Sequence, residues 1–372
     1  MTSDTQVKIG KIISQLKSEF YERDTIIEAC WAAILSGNHV LLLGQPGTAK
    51  SMITDAICKR IMGTKYFQWL LTRFSTPEEI FGPVSLKSLE NDEYRRITSN
   101  KLPEAHIAFL DEVWKANSAI LNSMLTIINE RKFDNGSTRN DVDLISVFGA
   151  SNELPQDEEL AALYDRFILR FDVPYIREAS HWKSLISGAV GDTKSGGDTI
   201  SLEELKSAMD KVKNVAFPDE VVNAMLNIKM DLEHEGIVAS DRRWKQTVRV
   251  LQAWAWIHGR DSVEEQDLEL LCEMLWREPE QRVTLVSKIL SVTNPLNLEA
   301  VKYHDDCLGV FQTFSPTVST STKEEVAQKL RSALEQMDTT LKIADPAKST
   351  KLKETRVEVA QWYRQVVQSI DL

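Results

Sequence analysis

The chain has 372 residues, of which 42% are hydrophobic and 27% are charged, so it can form two or three domains with sizeable cores. Acidic residues outnumber Lys and Arg by 55 to 44, giving a formal charge of -11. This balance disfavours sequence-independent binding to nucleic acid, which relies on cationic side chains. The 4 cysteines are far apart with no CxxC pair, so neither a zinc site nor a disulfide framework is expected. Without a signal peptide or a run of roughly 20 apolar residues, we expect a cytoplasmic protein with no transmembrane segment.

Up to about residue 180, short apolar runs alternate with amphipathic helical patterns. The runs predicted to form strands are His39–Leu43, Tyr66–Leu71, His106–Leu110, Leu144–Gly149 and Phe167–Val173. Such alternation is typical of a parallel sheet with helices on both faces. The sequence therefore predicts an α/β fold, with a five-stranded parallel sheet in an αβα sandwich over residues 1–190.

The second half of the chain is predicted to be helical. Ser187–Ile200 contains four glycines and indicates a linker. Helices are predicted at Leu202–Val215, Asp219–Glu233, Arg243–His258 and Glu264–Trp276. Spacings of three and four then recur at Val326, Leu330, Leu334, Met337 and Leu341, and again at Val359, Tyr363, Val366 and Ile370. These patterns predict an all-α domain over residues 198–277 and a helical extension over 278–372, with an αα-hairpin at about 322–371.

A candidate phosphate-binding loop follows the first predicted strand. There the sequence runs Gly44, Gln45, Pro46, Gly47, Thr48, Ala49, Lys50, Ser51, Met52, and a helical pattern begins at Lys50. Glycines let backbone N–H groups surround phosphate oxygens, and the helix N-terminus adds a favourable dipole. Lys50 would then reach the β- and γ-phosphates of ATP, and the hydroxyl of Ser51 would bind Mg²⁺. Ala49 replaces the usual glycine, and we expect it to take helical angles in the first turn.

Two adjacent acids, Asp111 and Glu112, end the third predicted strand. In a parallel sheet they would lie at the same edge as Lys50, where ligands bind. Asp111 can hold Mg²⁺, and Glu112 can act as the general base that polarises the attacking water. Alone, such a pair often only caps a helix, but its spacing from the loop indicates an ATPase.

Three further polar residues follow or enter the later strands. Asn152 ends the fourth strand, where it would contact the γ-phosphate or the lytic water, or simply form a turn. Arg166 and Arg170 stand at the start of and within the fifth strand. An arginine supplied to a neighbouring subunit would stabilise transition-state charge. The alternative is a surface arginine paired with Asp165.

The order of these motifs resembles the MoxR branch of the AAA+ ATPases: GQPGTAKS, FLDE, ASNELP and LYDRF. The Ala-Lys-Ser form of the phosphate loop is typical of that branch. Within it the chain is most similar to the RavA subgroup, through FYER near the N-terminus, TRFSTPEEIFGP, and SDRRWK at residues 240–245. The similarity runs from about Tyr21 to Trp276, and the chain lacks RavA's long C-terminal region.

The resemblance implies a ring-shaped ATPase, hexameric in the family, with its sites between subunits. Asn152 would be the sensor-one residue, Arg166 the leading arginine finger with Arg170 next, and Arg242 the sensor-two arginine with Arg243 as the alternative. Tyr21 and Arg23 lie where the family packs adenine, although they also suit an ordinary helix. Hairpins are implied at Phe81–Leu102 and Phe133–Leu144, facing the pore or a client.

The resemblance also implies an ATP-driven remodeller of protein complexes with a partner that carries a von Willebrand factor A domain. Two other functions are compatible with the motifs. One is a nucleotide-gated assembly switch with slow hydrolysis, and the other is a nucleic-acid motor, which the acidic balance disfavours. The client, the ring size and the arginine that acts in trans are not fixed by the sequence.

Overall fold

A five-stranded, wholly parallel sheet forms the centre of the first of two compact units. The computed structural model describes residues 4–187, 197–315, 318–346 and 349–370. The strands of this sheet are β1 His39–Leu43, β3 Tyr66–Leu70, β4 Ile107–Asp111, β7 Ser146–Ser151 and β8 Phe167–Asp172. Their order across the sheet is β3-β4-β7-β1-β8. All five predicted strands are therefore present, and the predicted α/β fold is confirmed.

The central strand positions are apolar and buried, as a sheet covered on both faces requires. All five residues of β1 are buried, and so are all six of β7. The helices of the sheet region are α1 Asp4–Glu19, α2 Asp24–Ser36, α3 Lys50–Lys59, α4 Pro77–Phe81, α5 Leu86–Leu89, α6 Ser118–Glu130, α7 Glu158–Tyr164 and α8 Ala179–Ile186. Three-residue 3-10 helices at Leu102–Glu104 and Val113–Lys115 join some of these elements.

The implied hairpin after α6 is present as β5 Lys132–Asn135 and β6 Thr138–Asp141. In the segment Phe81–Leu102 the described pairing is one antiparallel bridge between Val84 and Arg96, with α5 inside the loop. The buried carboxamide of Asn135 joins the two segments, because it accepts a hydrogen bond from Arg96 N at 2.7 Å and donates one to Arg96 O at 3.1 Å.

The helices after the sheet are divided between the two units. A short strand, β2 Ile61–Met62, pairs in parallel with β9 Ile200–Ser201, which leads into α9 Leu202–Val212. Both α9 and α11 Asp241–Ile257 pack against α2. The first unit consequently comprises residues 1–221 and 239–275, including the 3-10 helix Glu265–Glu273. Two helices of the predicted all-α domain, α9 and α11, therefore belong to the same compact unit as the sheet.

The second unit, residues 222–238 and 276–372, is helical in its described parts. It contains most of α10 Asp219–His234, followed by α12 Gln281–Thr293, α13 Pro295–Gln312, α14 Thr320–Ile343 and α15 Thr350–Ile370. All nine apolar residues that predict the αα-hairpin lie in or against one core cluster of this unit. That core also receives Ala300 and Cys307 from α13.

Part of the predicted linker Ser187–Ile200, residues 188–196, lies outside the described residues. Among the described helices, none combines the length and apolar character needed to cross a membrane.

Candidate functional site

The carboxyl ends of three adjacent strands bring the candidate site residues to one edge of the sheet. Gly44 follows β1, Asp111 ends β4, and Asn152 follows β7. Backbone hydrogen bonds continue the pairing at this edge, with Gly44 N donating to Ser151 O at 3.0 Å. The sequence places these residues far apart, and the parallel sheet aligns them because its carboxyl ends share an edge.

The loop between β1 and α3 has the geometry of an anion-binding cradle. A Cβ at Gly44 would lie 2.5 Å from the carbonyl oxygen of Val173, so only glycine fits there. The Lys50 ammonium donates to Gly44 O at 2.7 Å and to Gln45 O at 3.0 Å. The α3 N-terminus has no side-chain cap, so its first N–H groups remain available to phosphate oxygens. Thr48 is buried and braces the loop by donating to Gln45 O at 3.0 Å.

Ala49 does not take the helical angles expected from the sequence. It is the N-terminal cap of α3 with φ 68° and ψ 19°, in the left-handed region. An L-residue in this region costs roughly 1–2 kcal/mol relative to right-handed angles. Glu112 is also left-handed, with φ 51° and ψ 46°. Backbone strain of this kind, at two residues of one candidate site, is typical of functional positions.

The acids at the end of β4 lie close enough to act electrostatically on Lys50. Burial lowers the pKa of Lys50 below its ordinary value, while the charges of Asp111 and Glu112 oppose that shift. Both carboxylates are partly buried, and Asp111 Oδ1 accepts from Glu112 N at 3.1 Å. Oxygen donors are the ligands that Mg²⁺ prefers, and the partly exposed Ser51 and Asp111 supply a hydroxyl and a carboxylate. The residues present therefore fit MgATP.

The remaining loop residues and Asn152 are more open. The residues Gln45, Pro46, Gly47 and Met52 are exposed, and so is Asn152. Beside Asn152, the carboxylate of Glu153 forms an ion pair with Lys115. An exposed amide at this edge remains accessible to a ligand.

The two arginines near β8 differ in what holds them. Arg170 is 1% exposed, donates to Phe167 O and Tyr164 O, and stacks on the Tyr164 ring at 3.7 Å. These contacts tie its guanidinium inside the protomer, so a role in trans would require it to leave the core. Arg166 is partly exposed, and none of the residues that the structure describes forms a hydrogen bond with its Nε.

The paired arginines at the start of α11 are likewise one exposed and one buried. Arg243 is 3% exposed, and its guanidinium donates to four backbone carbonyls and to the carboxylate of Asp165. Arg242 is exposed and donates to Asn129 Oδ1 at 3.3 Å. The structure therefore gives Arg243 a packing role and leaves Arg242 accessible.

Arg166 and Arg242 lie at the amino ends of the strands, whereas the phosphate loop lies at their carboxyl ends. Arg166 precedes Phe167, which pairs with His39 at the start of β1, whereas Gly44 follows the end of β1. Five residues of extended strand separate these points, roughly 16 Å at ~3.3 Å per residue. Arg242 lies at this same end, because it donates a hydrogen bond to Asn129 near the end of α6. Arg131, which caps α6, contacts His39 at the start of β1 at 3.2 Å.

The two residues expected near adenine, Tyr21 and Arg23, are held by contacts with other residues of the protein. Tyr21 stacks on His181 with ring centroids 4.7 Å apart. Arg23 is 4% exposed and donates to Glu22 O and Pro174 O, so its guanidinium is used inside the protein. The structure adds Tyr175, which sequence reasoning missed. Its hydroxyl donates to Pro46 O in the phosphate loop at 3.2 Å. Its position just beyond a parallel strand was the available signal.

Comparisons with known proteins agree with this arrangement. Residues 7–214 match the family described as "MoxR domain in the MoxR-vWA-beta-propeller ternary systems", and residues 220–290 match an AAA lid domain. Two uncharacterised proteins of Methanocaldococcus jannaschii are each 42% identical, over 77% and 78% of this chain and 76% of their own lengths. Chaperone MoxR1 of Mycobacterium tuberculosis is 23% identical over 72% of this chain and 74% of its own.

Among solved structures, a candidate ATPase of Cytophaga hutchinsonii superposes with a TM-score of 0.63 at 18% identity. The match covers 78% of this chain and 95% of the other, and at this identity it supports the fold. Because the family match spans more than half of the chain and includes the phosphate loop and both strand-end acids, this protein belongs to the MoxR family of AAA+ ATPases.

Proposed function

We propose that this chain binds MgATP on the loop Gly44–Ser51 and hydrolyses it with Glu112 as the base that polarises the attacking water. The observation that carries the proposal is the convergence of Lys50 with Asp111 and Glu112 beside an uncapped helix N-terminus. This is the arrangement that phosphoryl transfer needs, because catalysis there depends on positioning and on stabilising charge.

Each residue at the carboxyl edge has a role in this proposal. Backbone N–H groups of the loop bind phosphate oxygens, and the Lys50 ammonium leaves its two carbonyl partners for the β- and γ-phosphates. Ser51 and Asp111 would hold Mg²⁺, which would neutralise part of the negative charge of the phosphates. The exposed Asn152 would orient the water or the γ-phosphate. Tyr21, through its stack on His181, would form part of the adenine wall.

We also propose that Arg166 and Arg242 act in trans. Both lie at the amino edge of the sheet, about 16 Å of strand from the phosphate loop of their own chain. An arginine at that distance serves a different protomer's γ-phosphate more readily than its own. The unpartnered Nε of Arg166 supports this role. A ring of copies, hexameric in keeping with the family resemblance, would bring the two edges together.

We propose that ATP hydrolysis drives the remodelling of protein complexes, and that the chain acts together with a partner that carries a von Willebrand factor A domain. The matched family is described by its association with that domain and a β-propeller. Support for a protein client comes from the segment between α4 and the next 3-10 helix. This segment exposes large apolar side chains, namely Leu86, Leu89, Tyr94 and Ile97. The RavA-type resemblance stays a prediction.

The test measures steady-state MgATP hydrolysis and oligomeric size for the wild type, Glu112→Gln and the matched control Glu354→Gln. Glu354 is exposed on α15, so the same chemical change there should leave turnover unaltered. Loss of a general base typically lowers the rate by about 10²–10⁴-fold. We expect Glu112→Gln to retain nucleotide binding and lose turnover to that extent. Equal turnover in all three proteins would contradict the assignment.

A mixing experiment tests the trans arrangement. Lys50→Ala should bind no nucleotide but still offer Arg166, and Arg166→Ala should bind nucleotide without supplying the arginine. Mixed rings should therefore recover hydrolysis that neither variant shows alone. If mixing restores nothing although the two variants co-assemble, Arg166 acts within its own chain or not at all. If wild type turns over negligibly yet assembles with ATP, the protein is a nucleotide-gated switch.

A further inference from the structure

A histidine and two glutamates meet beside the candidate ATP site. Glu22 follows α1, whereas Glu178 and His181 lie at the start of α8. His181 Nδ1 is 3.2 Å from Glu22 Oε1 and 3.3 Å from Glu178 Oε2. All three ligand atoms lie within 4.8 Å of one another. Among the described residues, this is the one group of three His, Cys, Asp or Glu side chains with such spacing.

Neighbouring groups hold two of these side chains in place. The Glu22 carboxylate accepts from the backbone N–H groups of Arg177 and Glu178, at 3.0 and 2.9 Å. The imidazole of His181 is stacked on Tyr21 with only 17° between the ring planes. Partners of this kind orient metal ligands before a metal arrives. Each carboxylate oxygen carries two lone pairs, so Glu22 can accept these hydrogen bonds and still coordinate a cation.

Two of the three separations between the ligand atoms fit a tetrahedral transition-metal site. With metal–ligand bonds of about 2.0–2.2 Å, two ligands of a tetrahedron lie about 3.3–3.6 Å apart. The two separations from His181 Nδ1, 3.2 and 3.3 Å, are close to that length. Three protein ligands would leave a fourth position for water. An imidazole nitrogen in the set favours Zn²⁺ over Mg²⁺, which prefers oxygen ligands alone.

Charge also favours a divalent cation over an empty site. Two carboxylates beside a neutral imidazole carry a formal charge of -2, which one Zn²⁺ ion neutralises. The partial positive charge at the N-terminus of α8 opposes a cation, so both carboxylates are needed. Glu178 has 60% of its side chain exposed and Glu22 23%, which leaves one side of the group open to the solvent.

We propose that Glu22, Glu178 and His181 form a binding site for one transition-metal ion, with Zn²⁺ as the best-fitting ion. The site is separate from the Mg²⁺ ligands, since it uses none of their side chains. A bound ion would fasten the turn between α1 and α2 to the segment that leads into α8. That segment also carries Tyr175, whose hydroxyl contacts the phosphate loop.

The test titrates the full, untagged, chelator-treated chain with Zn²⁺ in competition with a chromophoric chelator. His181→Ala and Glu178→Gln each remove one ligand, and His234→Ala is the matched control. His234 is an exposed histidine at the end of α10 outside the group. We expect one equivalent to bind, with at least a tenfold weaker affinity in the first two variants and unchanged affinity in the control. Zn²⁺ should raise the melting temperature of the wild type and of the control only.

Three results would overturn the proposal. These are no binding of Zn²⁺ by the wild type, an unchanged affinity in Glu178→Gln, and equal competition by Mg²⁺. The first result would leave the polar contacts of His181 with the two carboxylates as the reason for the cluster. Glu178→Gln keeps the test decisive if His181→Ala fails to fold, because Glu178 is largely exposed.

Discussion

Replacing Arg243 by alanine should destabilise the first unit strongly, whereas the same change at Arg242 should not. The Arg243 guanidinium is buried, and its Nη2 donates to Phe167 O at 3.0 Å and to Ile168 O at 2.9 Å. It also donates to the backbone of Met274 and to both the carbonyl and the carboxylate of Asp165. One side chain therefore satisfies carbonyls from two regions of the chain.

The magnitude follows from what the substitution leaves behind. Each buried carbonyl that loses its donor costs about 1–3 kcal/mol, and partial relaxation and water entry reduce the sum. Breaking a buried charged network typically costs about 3–5 kcal/mol, which is a large fraction of a normal folding free energy of about 5–15 kcal/mol. A lysine at this position restores the charge without the forked donors, so Arg243→Lys should recover only part of the loss.

Scanning calorimetry and nucleotide turnover, measured on both alanine variants, separate the two arginines. Arg242 is exposed and makes one described hydrogen bond, so Arg242→Ala should change stability by no more than about 0.5 kcal/mol. Its MgATP hydrolysis should nevertheless fall at least tenfold. An unchanged melting temperature for Arg243→Ala would refute the packing argument. Wild-type turnover in Arg242→Ala would remove Arg242 from the proposed site.

Two further predictions concern the phosphate loop and the partly exposed ion pair of His258 with Glu28. Gly44→Ala should abolish nucleotide binding and lower stability by about 1–3 kcal/mol, because its Cβ meets a backbone carbonyl at 2.5 Å. Gly10 lies inside α1, and a Cβ there would meet nothing within 4 Å. Gly10→Ala should therefore stabilise the folded protein by roughly 0.5–1 kcal/mol. A loss of nucleotide binding in this variant would contradict the steric explanation. The hydrogen bond to Glu28 raises the pKa of His258 above 6.5, against the effect of burial. Stability from that pair should be complete below pH ~6.5 and disappear as pH rises through the raised pKa. Thermal unfolding of the wild type and His258→Gln across pH 5.5–8.5 should therefore converge at the alkaline end, and a constant difference would count against the linkage.

Local sequence patterns were sufficient for the strands and for the helical bundle. The last four residues of β1 are apolar, and the structure buries all five residues of the strand. The spacing of Val326, Leu330 and Met337 places them on one face of α14, and all three are buried in the core of the second unit. These predictions succeed because a strand or helix repeats its side-chain direction over a few residues. Local patterns could not show which helices pack on the sheet unit, because the packing of α11 on α2 joins residues more than two hundred positions apart.

The sequence by itself predicted the parallel sheet and, as candidates, the phosphate loop and the acids at the end of β4, because spacing within a strand–loop–helix unit is local. Only the tertiary structure shows which of two neighbouring arginines is buried and which is exposed. Arg242 and Arg243 differ by about 100° around one helix, and only the packed core shows which one is buried. It also brought Glu22 within reach of His181, 159 positions away. Contacts between distant segments depend on how elements pack, which no local pattern specifies.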